Sequence, residues 1–310
     1  MTDALAPTEE LLTEVLVSTY TARGAKAGAA AGATGIGLVR TEMMFLGHHN
    51  EPAVTDQAAA YQAVLEPLDG RPAVFRVWDL GSDKTVPFAT PAASSNPALG
   101  ERGIRYLRRD PGLLDRQLAA IAEATASSTT MPAVMAPMIS VPEEAAWFAQ
   151  RARHAGIARI GAMIEVPAAV LLAAEVMATV DFVSIGTNDL LQYTFATDRG
   201  TTGVLSELID MWQPALLRLI ALVVQTGQAC ACPVAVCGEA AAEPAFAAVL
   251  AGLGVATVSV RPNAVAAVRT TLTAAGPGGC ARAYAAAAAA PDHRAARTAA
   301  ISAVADCQLG

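Results

Sequence analysis

Arginines, carboxylates and a thiol stand where short apolar runs of this sequence break into polar residues: Arg40, Arg76, Glu165, Asn188 with Asp189, and Cys237. Planar guanidinia grip phosphoryl or carboxylate oxygens through paired hydrogen bonds. A carboxylate such as that of Asp189 can hold a hard cation such as magnesium. The densest stretch is DFVSIGTNDLLQYTFATDRG, residues 181–200. Its residues 182–185 read as a buried strand that is continuously apolar, and Gly186 ends it. Thr187, Asn188 and Asp189 therefore fall at the strand's C-terminal end, with Asn188 or Asp189 suited to cap the helix that follows. A strand end beside a helix N-terminus offers backbone N–H groups to an anion, and Arg199, further on, adds a guanidinium. Taken alone, this stretch reads equally as a helix cap with a surface ion pair, so the surrounding elements have to decide.

Those elements repeat. Apolar runs at 15–19, 36–40, 73–78, 133–138, 160–165, 182–185, 233–237 and 256–260 each close on polar or glycine residues and lead into a helical pattern. Helices are expected over 23–33 and 111–126, and another after Ser140, with Glu143 three residues on completing a capping box. An insertion spans 85 to about 109. Eight strands alternating with helices predict an α/β fold of the (β/α)8 TIM barrel type. An open doubly wound sheet is the alternative, and it leaves two edges to protect. Residues 1–10 read as a tail and 11–310 as one barrel with a C-terminal helical segment. In such barrels the βα loops meet at the C-terminal ends of the strands, and the residues named above come from strands two, three, five, six and seven. Five strand ends carrying arginines, carboxylates and a thiol on one face point to an anion site with a metal.

Composition narrows the classes. Of 310 residues 54% are hydrophobic, and much of that excess is alanine; no run of ~20 strongly apolar residues spans a bilayer. The N-terminus carries Asp3, Glu9 and Glu10 where a secretory signal has a basic segment, so the expected compartment is the cytoplasm. Net charge is −7, and of the 21 basic residues only Lys26 and Lys84 are lysines. No basic stripe with interleaved aromatics marks a nucleic-acid partner. Five cysteines without a pairing pattern suit a reducing compartment, and Cys230 and Cys232 lack a second pair at zinc spacing.

The segments GIGLVRTEMMF (35–45), FRVWDLGSDK (75–84), NPALGERGIR (96–105), MIEVPAA (163–169), SIGTNDLLQYTFATDRG (184–200) and VCGEAAAE (236–243) resemble the phosphoenolpyruvate (PEP)-binding barrel of the PEP-utilising enzymes. Within that group the likeness is to enzyme I of the sugar phosphotransferase system, the PEP–protein phosphotransferases. It implies a magnesium-dependent barrel that binds PEP at its C-terminal face and commonly forms a homodimer. By position, Arg40, Arg76 and Arg199 match the PEP-binding arginines, and Arg102 matches a further one. Glu165 and Asp189 match the magnesium ligands, with Asn188 and Asp189 in a segment that also contacts PEP. Cys237 matches the residue that passes a proton to or from C3 of the pyruvate enolate.

The resemblance also implies a phosphohistidine domain and a helical domain that docks the phosphocarrier protein, and neither is read in this sequence. VCGEAAAE stands for the usual CGELAGD, and Ser259-Val260-Arg261-Pro262 for a serine- and alanine-rich segment. None of His48, His49, His154 or His293 sits in a phospho-acceptor motif. The expected function is therefore phosphoryl donation from PEP to a histidine on another domain or chain. Alternatives are a magnesium-dependent carbon–carbon lyase working through a pyruvate enolate, and a PEP or pyruvate sensor without catalysis.

Overall fold

The computed structural model describes residues 13–81, 86–89, 95–126 and 130–306. The 1–10 tail and the segment Ser82 to Lys84 lie outside them. Eight strands, β1 (Glu14–Thr19), β2 (Ile36–Arg40), β3 (Ala73–Arg76), β4 (Pro132–Ile139), β5 (Arg159–Ile164), β6 (Phe182–Gly186), β7 (Val234–Cys237) and β8 (Thr257–Val260), follow one another around a closed barrel. Every neighbouring pair is parallel, and β1 closes on β8 with Glu14 opposite Thr257. The fold is a (β/α)8 TIM barrel.

Side chains leave the strands on two faces of different character. Val17, Val39, Phe75, Val134, Ile160, Ile185, Val236 and Val260 belong to the large core shared with the helices. A separate, smaller cluster of Leu38, Ala133, Met135, Met163, Phe182 and Cys237 fills part of the barrel interior. The strands were read as uniformly apolar, yet β7 and β8 alternate in size: Val234 and Val236, like Val258 and Val260, join the outer core, while Ala235, Cys237, Thr257 and Ser259 take the other face. Both faces are enclosed, so alternation here separates large from small rather than apolar from polar.

Element ends shift for local reasons. β3 stops at Arg76, two residues early, because the Trp78 N–H leaves the ladder to donate to the Gln117 side chain at 2.9 Å. The helix expected to open at Ser140 spans Pro142–His154, and the acidic residue reaching back to its start is Glu144, not Glu143. The Glu144 carboxylate accepts the Ser140 N–H at 2.7 Å. Proline at the first helical position needs no donor, which moves the start by one. The helix expected at 23–33 spans Ala22–Ala30, with the Thr21 hydroxyl accepting the Gly24 N–H. The insertion contains the helix Ile104–Arg109, and Pro111–Ala126 forms as expected. After β8, a helix over Val265–Ala288 breaks at Gly276, whose φ is 60°, before Pro277, and a last helix covers His293–Ala305. No described helix is long and apolar enough to cross a membrane.

Candidate active site

At the C-terminal mouth of the barrel the strand ends are joined by a lattice of buried ion pairs. Arg76, the last residue of β3, places Nη2 2.5 Å from Glu42 Oε1 and 3.2 Å from Asp79 Oδ2. Arg102 is fully buried, and its planar fork is shared between two carboxylates. Nε and Nη2 donate to Asp79 at 3.1 and 3.0 Å, and Nη1 and Nη2 donate to Asp189 at 2.8 and 3.0 Å. Nη1 also donates to the Tyr193 hydroxyl at 3.0 Å, which in turn donates to the Ala98 carbonyl. A turn fixes this arginine: its N–H donates to Gly100 O, and Gly103, at φ 59°, has room for only a hydrogen against Met138. Burial opposes the charge on both Arg76 and Arg102, but the carboxylates beside them outweigh it and hold both guanidinia protonated far above any working pH.

Glu165 follows β5 and is 1% exposed. Its Oε1 accepts the Met138 N–H at 2.7 Å, and Met138 adopts φ 62°, a strained conformation for a non-glycine residue that aims this N–H at the carboxylate. Gly186 makes the opposing wall, where a Cβ would stand 2.6 Å from Glu165 Oε2. Burial, and after it the negative charges of Asp189 and Asp79, push Glu165 up to about 7 despite Arg76 and Arg102. The sign has a consequence for folding. As pH rises from about 4.5 to about 7 the unfolded chain ionises at this position and the folded chain does not, so stability falls across that window. Glu165→Gln is expected to flatten the fall, measured as the urea midpoint against pH; an unchanged slope would place its cause elsewhere.

Neither Asn188 nor Asp189 caps the helix Thr187–Phe195, which starts directly after Gly186. Both side chains have other partners: Asp189 joins Arg102, and Asn188 Oδ1 accepts the Glu239 N–H at 3.0 Å. The Thr187 hydroxyl donates to the Cys237 carbonyl at 3.0 Å, so the turns after β6 and β7 clasp one another. Gly238 permits this, since its φ is 105° and a Cβ there would meet Thr187 Oγ1 at 2.3 Å. Cys237 is buried at the end of β7, with Sγ 3.5 Å from the Ile185 carbonyl and accepting from the Ser184 hydroxyl at 3.7 Å. Burial first, partly opposed by the Ser184 hydrogen bond, pushes its thiol up to about 11. The group stays protonated near neutrality, as an acid toward carbon requires.

Arg40, at the end of β2, lies apart from the lattice. Its guanidinium stacks 5.3 Å from the Tyr20 ring, and its buried Nε has no partner among the described residues. Arg199 is exposed in the loop after the helix Thr187–Phe195, anchored through its backbone N–H to Gln192. The structure thus gathers Arg76, Arg102, Glu165, Asp189 and Cys237, sets Arg40 and Asn188 at the margin, and leaves Arg199 on the surface. Sequence reasoning missed Glu42, Asp79 and Tyr193. The available signal was an acidic residue two or three places beyond a strand-end arginine, in VRTE and FRVWD. The two oxygen-donor carboxylates, Glu165 raised in pKa by burial and then by the charge of Asp189, suit a hard divalent cation that keeps several waters or ligand oxygens. Among the described residues there is no cluster of three or more His, Cys, Asp or Glu side chains that would enclose a metal on their own.

Residues 2–276 match the family described as PEP-utilising enzyme, PEP-binding domain. The chain belongs to that family. A phosphoenolpyruvate-protein phosphotransferase of Streptomyces coelicolor is 47% identical over 272 residues, 87% of this chain and 49% of that protein. A multiphosphoryl transfer protein of Rhodobacter capsulatus is 42% identical, over 84% of this chain and 32% of that protein. The chain therefore spans about half or less of the curated relatives it matches. Among solved structures, an HpcH/HpaI aldolase/citrate lyase family protein from Burkholderia cenocepacia superposes with a TM-score of 0.50 at 17% identity, over 85% of this chain and 93% of that one. That likeness is one of fold.

Proposed function

We infer that this PEP-binding domain is the phosphoryl-donating half of a PEP–protein phosphotransferase, passing the group to a histidine on another domain or chain. The observation that carries the reading is the lattice itself: two buried arginines and four buried carboxylates converge on one mouth, with a protonated thiol at the end of the adjoining strand. Arg76 and Arg102 are assigned to the phosphoryl and carboxylate oxygens of PEP, with Arg40 and Arg199 closing from the rim and Asn188 beside them. Glu165 and Asp189 are assigned to magnesium, which when bound supplies positive charge to the phosphoryl oxygens. Cys237 is assigned to proton transfer at C3, giving its S–H proton to the enolate carbon left when the phosphoryl group departs. Binding of PEP in this arrangement needs Arg102 to trade its contact with Asp189 for ligand oxygens. The dimer implied by the resemblance and the cytoplasmic location expected from the N-terminal sequence belong to the same reading.

The acceptor is not among the lattice residues. His48 and His49 are exposed in the loop after β2, His154 is exposed at the end of its helix, and His293 opens the last helix. Transfer requires an acceptor nitrogen in line with the leaving oxygen, and positioning supplies most of the catalysis. With radiolabelled PEP the chain alone is expected to acquire no stable label, while a separately produced phosphohistidine domain becomes labelled slowly in its presence. The slowness reflects the loss of a tethered partner's local concentration. Acid-labile, alkali-resistant label on any of the four histidines would make the chain its own acceptor and overturn this reading.

A further inference from the structure

Barrels of this kind are filled by layers of bulky branched side chains, but beneath Cys237 the small residues Ser184, Ala235, Thr257 and Gly37 leave a gap beside Leu16, Ile36, Val74 and Phe182. A cavity of about 80 Å3 lies there, lined by Ser184, Ala235 and Thr257 and running to Glu14 and Arg159 at the N-terminal end. Glu14 and Arg159 are exposed, and both also line a broader basin of about 660 Å3 on that end. Its walls are mostly apolar, and the hydroxyls of Ser184 and Thr257, with Glu14 and Arg159 at the open end, give a few waters their hydrogen-bonding partners. Ser184 stands between the cavity and the thiol, donating to Cys237 Sγ at 3.7 Å. Ser259, the register partner of Cys237 on β8, is 1% exposed, and its Oγ has no partner among the described residues. It fills the space over Gly37, where a Cβ would come within 1.9 Å of that oxygen.

We propose that Cys237 exchanges its proton with solvent through the floor of the barrel, by way of Ser184 and water in this cavity, and not through the mouth that binds substrate. The proposal rests on the reading of Cys237 as the C3 acid. When Cys237 gives its proton to the enolate, the S–H bond breaks, the enolate electron pair forms the new C3–H bond, and a thiolate remains. Pyruvate then covers the thiolate from the mouth. Ser184 on the other side passes its hydroxyl proton to Sγ and takes one from a cavity water, so that one solvent proton is consumed in all. In reverse, a proton removed from C3 leaves by the same route. Ser184 acts through Cys237 and touches no substrate, which makes it a positioning and relay residue.

The test follows loss of deuterium from C3-deuterated pyruvate into water by NMR, with magnesium present, for the full chain and four variants. Ser184→Ala removes the relay and Ala235→Leu fills the cavity. Each is expected to slow exchange by roughly 10- to 100-fold without changing PEP affinity by calorimetry. Ser184→Thr keeps a hydroxyl and is expected to restore most of the rate, which separates a relay from a packing role. Cys237→Ala is expected to abolish exchange. If Cys237→Ala abolishes exchange while Ser184→Ala and Ala235→Leu proceed at the parent rate, the relay is wrong and the acid assignment stands. If Cys237→Ala exchanges as fast as the parent, or the parent does not exchange at all, the reading beneath the relay fails instead.

Discussion

Arg102→Ala is expected to destabilise the fold by about 3–5 kcal/mol, the range for stripping one partner from a buried ion pair. The size follows from the sharing of one guanidinium. The substitution removes two-point pairing from Asp79 and from Asp189 at once, and both carboxylates are buried. Arg102→Lys retains the charge without the planar fork and is expected to recover only part of the loss. Millimolar magnesium should stabilise the alanine variant more than the parent, because Asp189 is then no longer held by a guanidinium. Urea unfolding with and without the metal measures both effects. A variant as stable as the parent would mean that the lattice is not a structural element, and equal stabilisation by magnesium would mean that Arg102 does not compete with the metal for Asp189.

Glu165→Gln is expected to remove the magnesium dependence of PEP binding, and Asp189→Ala to weaken that binding by about 2–5 kcal/mol, as for truncating one side of a desolvated charge pair. The glutamine keeps an oxygen to accept the Met138 N–H, so it tests the negative charge with little disturbance of the strained turn. Asp189→Ala also frees Arg102, and its effect therefore includes a rearrangement of the lattice. Calorimetry of PEP binding in chelator and in magnesium gives the result directly. Equal affinity for the parent protein under the two conditions would take both carboxylates out of the metal role.

The strands and the polar breaks at their C-terminal ends were legible in the sequence because a strand enclosed on both sides needs a continuous apolar run, and polar residues can reappear only where it ends. Arg40, Arg76, Glu165, Asp189 and Cys237 stand out on that ground alone. What one sequence does not display is partnership. Glu42 and Asp79 look like ordinary acidic loop residues until β2 and β3 lie side by side, and Arg102 lies in an insertion far in sequence from Asp189. The same limit explains the misplaced caps. Asn188 and Asp189 are of the right types to cap a helix, but tertiary partners more than fifty residues away in sequence take their side chains. Ser184 was read as part of an apolar run because one small hydroxyl in such a run carries no signal of its own. Its meaning depends on Ala235 and Thr257, which stand beside it on the next two strands.

The small side chains on the inner face also decide where the barrel gets its strength. Near the floor, where Gly37, Ser184 and Ala235 border the cavity, the strands resemble staves with a gap between them, and the hoop is the outer layer where Val39, Phe75, Ile185 and Val258 press against the helices. Dispersion contacts are dense on that side and interrupted at the cavity on the other. Trimming a large outer residue such as Phe75, which would cost about 3–5 kcal/mol, loosens the hoop itself, whereas Ala235 borders space that is already open. A chain built this way can alter the chemistry at its centre over generations while the shell that holds it stays the same.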